Sequence, residues 1–105
     1  MIVGKNKMDI VAPTTLNVYE VKKYSENSLH QHLAHAMTEM EEIRVELDQG
    51  KYFKASVECA DAITVLTRIL NGCIEKANLD ATPQDIMDVS INNAKIRRYY
   101  EQQGN

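Results

Sequence analysis

The chain has no apolar run near the roughly 18 residues that a membrane-spanning helix needs. It has no excess of positive charge either. The formal net charge is −3, which argues against extended electrostatic binding to nucleic acid. Its four glycines form no phosphate-cradling loop, and no Ser-His-Asp arrangement can be argued from the sequence. Cysteine is scarce. Cys59 and Cys73 are 14 residues apart in one apolar helical segment. At about 1.5 Å per residue they are about 21 Å apart, too far to bridge. Both are expected to be reduced, buried thiols of a cytoplasmic protein. The opening MIVGKNKMDIVAP has no long apolar stretch, so no secretory signal is expected. Internal repeats, low-complexity tracts and dividing linkers are missing as well.

What is there is helical periodicity. The 105 residues, 44% hydrophobic and 26% charged, suit one globular domain. Residues 1–24 read as an N-terminal arm, with a short helix over 14–24 that places Leu16, Val18, Tyr19 and Val21 on its apolar positions. A single helical-bundle domain fills 25–105. Ser25 or Ser28 can cap its first helix. Leu29, Leu33, Ala36, Met37, Met40, Ile43 and Leu47 then recur at three- and four-residue intervals, which predicts an amphipathic helix over about 28–49. Gly50 is suited to end it in a left-handed conformation. A second helix is predicted over 52–78. Its middle is apolar nearly all round, so most of its faces are expected to be buried. Gly72 within it reads as a close-packing point or a kink. After a loop at 78–82, Thr82 and Pro83 read as N-cap and first residue of a helix over 83–102. The predicted architecture is all-α, an antiparallel bundle in which the third helix packs on the hairpin of the first two. Gly104 and Asn105 read as a frayed end.

Four carboxylates stand out against this frame. Glu39 and Glu42 form one i, i+3 pair, and Glu58 and Asp61 form another. Glu42 and Glu58 are each eight residues from Gly50, and Glu39 and Asp61 are each eleven away. An antiparallel hairpin about Gly50 brings Glu42 level with Glu58 and Glu39 level with Asp61. Taken alone, the first pair belongs to an acidic surface stretch with Glu41 and Glu46. The second pair interrupts ASVECADAITVLTRIL, where buried carboxylates are costly without a partner. Arg68 shares a similar face with Asp61 but is about 10 Å further along the axis. Four acids so placed repel unless a cation sits among them. Oxygen ligands suit Mg²⁺, or Mn²⁺, better than zinc.

Other polar groups carry less chemistry. His32 and His35 share a helical face, but no further Cys or His pair completes a zinc site, so His30, His32 and His35 are expected at the surface. Lys51 and Lys54 lie at the turn, where they can attract an anion or simply be solvated. Lys95, Arg97 and Arg98 form the one basic cluster, favourable to the helix dipole and available for phosphate. Tyr99 and Tyr100 are suited to stacking on a base or packing against a partner.

The pattern Glu39-x-x-Glu42, fifteen residues, Glu58-x-x-Asp61 resembles the signature of the MazG-like all-α nucleoside triphosphate pyrophosphohydrolases. That superfamily includes the dimeric all-α dUTPases. TEMEEI is similar to the family's E-E-x-x-E, and VECADAI to its E-E-x-A-D-V-L. The resemblance covers about residues 29–74. NNAKIRRYY is loosely similar to a family stretch with Lys, Asn and Arg. Thr38 and Val57 stand where the family often has a further glutamate. The resemblance implies Mg²⁺-dependent hydrolysis of an NTP or dNTP to the monophosphate and pyrophosphate. Glu39, Glu42, Glu58 and Asp61 would be catalytic metal ligands. Lys54, Lys95 and Arg98 would contact phosphate, and the chain would form a homodimer or homotetramer. The alternative is a non-catalytic helical interaction or regulatory protein, of phage or plasmid type, in which the acids are solvated or a degenerate site.

Overall fold

The computed structural model of the chain describes residues 26–103, with side chains through residue 97. The N-terminal arm, the helix at 14–24 and the alternative cap Ser25 lie outside the described residues. So do Gly104, Asn105 and the side chains of Arg98, Tyr99 and Tyr100. The described chain is all-α, with α1 over Leu29–Asp48, α2 over Tyr52–Lys76 and α3 over Pro83–Gln103.

Local chemistry sets each boundary. Ser28 begins α1 through a capping box: its hydroxyl accepts from the Gln31 amide, and the Gln31 side chain accepts from the Ser28 amide. Gly50 ends α1 with φ at +70°. Lys51 N–H then donates to the Glu46 carbonyl at 2.8 Å, and Gly50 N–H to that of Leu47 at 3.0 Å. This is the Schellman pattern, which needs a left-handed residue where Gly50 stands. Asn78 does the same for α2. It adopts φ at 54°, and Leu79 N–H donates to the Ile74 carbonyl at 3.1 Å. Thr82 and Asp85 cap α3 reciprocally, through 3.2 Å and 2.8 Å bonds, with Pro83 at the first helical position.

The tight turn at Gly50 and Lys51 folds α2 back along α1, and these two helices form the packed unit. Ala36, Ala55, Ala62 and Val65 are its buried apolar residues. Small residues at the seam let the backbones approach. Gly72 belongs to the same design: a Cβ there would collide with the Leu29 side chain, so it is a close-packing point.

Three expectations are corrected here. First, α3 is not packed along the hairpin. It touches α2 sparsely and does not contact α1 among the described residues. Its apolar positions Met87, Val89, Ile91 and Ile96 are exposed. Second, α2 is not buried on most faces. Among the described residues, α1 covers one stripe of it and α3 touches it only sparsely, leaving Phe53 81% exposed and Val57 and Leu66 open. Cys59 and Cys73 lie off that stripe and are exposed rather than buried. Third, His32 is buried at 6% exposure, because it points from α1 into the seam. His35 is half-buried, and only His30 is at the surface.

Candidate metal centre

The hairpin places the two acid pairs opposite each other. Carboxylate oxygens of Glu39, Glu58 and Asp61 lie within 4.8 Å of one another. Glu39 comes from α1, and Glu58 and Asp61 from consecutive turns of α2. Glu39 and Glu58 are half-buried, and Asp61 is exposed. Glu42, one turn beyond Glu39, is exposed and joins the cluster through Glu58.

The electrostatics record the crowding. The Glu42 carboxyl is held above the ordinary carboxylate range, first by its interaction with Glu58. When protonated it donates a hydrogen bond to Glu58, and when ionised it is repelled by that charge. Partial desolvation and the more distant charge of Asp61 push the same way, while a smaller hydrogen-bonding contribution from Glu39 opposes them. Glu41, the neighbouring residue on α1, shows the contrast. Arg44 donates to it at 2.6 Å, also reaching Asp48, and holds the Glu41 carboxyl below its usual range. That is a solvated ion pair of little energetic consequence.

The side chain of Glu39 is largely enclosed, 13% exposed. His35, one turn earlier on α1, lies 3.1 Å from its Oε1 through Nε2. Oε2 is buried without a hydrogen-bond partner among the described residues. A buried, unsatisfied carboxylate oxygen is costly, and a cation beside two further carboxylates satisfies it. The donor set is all oxygen, so it fits a hard divalent cation such as Mg²⁺ or Mn²⁺. An open depression, walled by Glu42, Val45, Glu46 and Glu58 among others, adjoins the cluster.

Neither Lys54 nor Lys95 is among the residues that meet at this point, and the Arg98 side chain lies outside the described residues. Lys54 is at the turn, 3.8 Å from Glu46. Lys95 is exposed on α3, which does not contact α1. The position of His35 against Glu39 is the feature that sequence reasoning missed. Its only signal is the i, i+4 spacing to the first acid of the pair, which is common on exposed helices.

Repulsion at Glu42 has a measurable consequence. A carboxyl whose folded pKa is raised contributes stability below its unfolded value of about 4.5, and that contribution is lost as pH rises through the folded value. Glu42→Gln is therefore expected to raise the cation-free melting temperature at pH 7.5. The gain shrinks as the buffer is taken to pH 4. Equal melting of both proteins at pH 7.5 in EDTA would show that the cluster carries no strain.

No helix among the described residues is long and apolar enough to cross a membrane. Comparison of the chain with protein-family models, with curated proteins and with solved structures finds no match.

Proposed function

We propose that the chain is a cytoplasmic, MazG-like nucleoside triphosphate pyrophosphohydrolase that uses Mg²⁺ or Mn²⁺. Its reaction would be attack of water on an NTP or dNTP to release the monophosphate and pyrophosphate. The observation that carries this reading is the meeting of Glu39, Glu58 and Asp61 oxygens within 4.8 Å across a two-helix hairpin. These three, with Glu42, would hold the cation. When bound, the cation would supply charge neutralisation at the phosphates and activation of the attacking water. The chain's own acids would do the rest. All four would fix the charge at the centre; in the alternative arrangement one of them would instead orient the water and accept its proton. Lys54, Lys95 and Arg98 would meet phosphate charge. Because α3 leaves the hairpin, Lys95 and Arg98 would act from a second copy. The test is pyrophosphate release from a panel of NTPs and dNTPs with Mg²⁺. Absence of release across the panel would sink this reading.

The exposed apolar side chains support self-association. The buried apolar residues are three alanines and a valine, whereas Phe53, Val89, Ile91 and Ile96 are open to solvent. A domain this small gains stability by covering such a surface with another copy. Sedimentation equilibrium at tens of micromolar is expected to return a homodimer or homotetramer. A monomeric mass there would refute the expectation. The same surface favours a second reading, a helical interaction protein that covers these faces with a different partner and makes no use of the acids as a metal site.

A further inference from the structure

We propose that His35 is a positioning residue for Glu39, one that holds a single carboxylate oxygen so that the other is presented to the cation. The inference rests on the cation-site reading above and concerns a residue outside the four acids. His35 and Glu39 are one turn apart on α1 and share a face. Nε2 of His35 lies 3.1 Å from Oε1 of Glu39, in a part-buried setting. With an ionised carboxylate as acceptor, Nε2 is the protonated nitrogen and donates. That bond occupies Oε1. Oε2 is left buried and, among the described residues, without a hydrogen-bond partner, in the carboxylate that groups with Glu58 and Asp61.

The asymmetry within one carboxylate is the informative part. An ordinary surface Glu side chain has three soft torsions and both oxygens in water. Glu39 has one oxygen bonded to His35 and its other oxygen buried with no hydrogen-bond partner among the described residues. A ligand group pre-oriented in this way loses less freedom when a cation arrives, and outer-shell partners of metal-binding carboxylates commonly account for about 10–100-fold in metal affinity. A plain i, i+4 helix pair would instead affect helix stability and nothing else.

The experiment is Mn²⁺ titration of the full chain, with free Mn²⁺ read by electron paramagnetic resonance. The variants are His35→Leu, which removes the donor and keeps apolar bulk, and His35→Gln, which restores a donor of similar reach. Glu58→Gln is the control for the site itself. His35→Leu is expected to weaken Mn²⁺ binding about 10–100-fold, with His35→Gln within about threefold of wild type. Cation-free melting temperatures of the two should nearly coincide. Should His35→Leu fail to fold by circular dichroism, His35→Ala takes its place in the same titration. Wild-type affinity in His35→Leu, or an equal loss in His35→Gln, overturns the role of His35. If the wild type binds and Glu58→Gln does not, such a result leaves the cation site standing. If the wild type binds no Mn²⁺, the site and the positioning role fall together.

Discussion

Glu58→Gln is expected to lower pyrophosphate release at least about 10³-fold without lowering the cation-free melting temperature. The magnitude follows from comparison with weaker perturbations. Loss of an outer-shell partner costs about 10–100-fold, and loss of one transition-state hydrogen-bond donor about 10²–10³-fold. On the proposed reading, Glu58 would stand closer to the chemistry than either. Its carboxylate groups with Glu39 and Asp61 and is the main influence on Glu42, so its charge bears on every other acid of the cluster. Glutamine has the same shape but no charge, and half of its head group donates. On that reading it would remove one ligand and turn an N–H toward groups that should face a cation. The stability side moves the other way. Removing one of four like charges relieves repulsion in the absence of metal. Activity and stability changing in opposite directions is the mark of a site held together against its own charge. A simple packing role for Glu58 predicts that both fall. More than about a tenth of wild-type release in the variant would refute the role assigned to Glu58, since that loss is below what an outer-shell residue commonly shows.

The parts of the fold legible in the sequence are those fixed by short-range chemistry. Ser28, Gly50, Thr82 and Pro83 act within one helical turn, so their residue types announce the helix ends. The approach of the acid pairs was legible for a related reason. Once Gly50 ends α1 and α2 begins within two residues, equal distances from Gly50 become equal heights on the hairpin. Asn78 is the exception among the caps. It supports the same left-handed turn as Gly50, but asparagine does so less often and also reads as an ordinary loop residue. Burial was the weak point. Periodicity shows that a helix has an apolar face but not whether anything covers it. The all-round apolar character of α2 suggested deep burial, yet one neighbour covers one stripe, and Cys59 and Cys73 fall outside it. His32 errs in the opposite direction, since a polar residue on the seam is carried inward with its neighbours. The packing of α3 was illegible for the same reason: its apolar positions are real, and the other described helices do not cover them.

Millimolar Mn²⁺ or Mg²⁺ is expected to raise the melting temperature by on the order of 10 °C, and Asp61→Ala to abolish the rise. A ligand that binds only the folded state stabilises it by mass action, about 2.7 kcal/mol at a concentration of 100 times Kd. For a domain of about 100 residues, each kcal/mol shifts the midpoint by about 4–8 °C. The cation must therefore bind in the tens of micromolar for the full effect, which a cluster of four acids with a pre-oriented Glu39 can support. Asp61 is the acid to remove because it is exposed, so its loss leaves no cavity and no stranded buried group. A control separates this site from general attraction to an acidic surface. Glu41 lies on the same helix but is paired with Arg44, and Glu41→Ala should keep the full rise. A rise retained by Asp61→Ala, or lost equally in both variants, would mean diffuse charge rather than a centre. Absence of any response at millimolar cation would turn the argument toward the interaction protein, whose four acids must then tolerate their repulsion unaided. That outcome carries its own requirement: Glu42→Gln should then stabilise the protein equally with and without cation, since no bound charge would exist for it to lose.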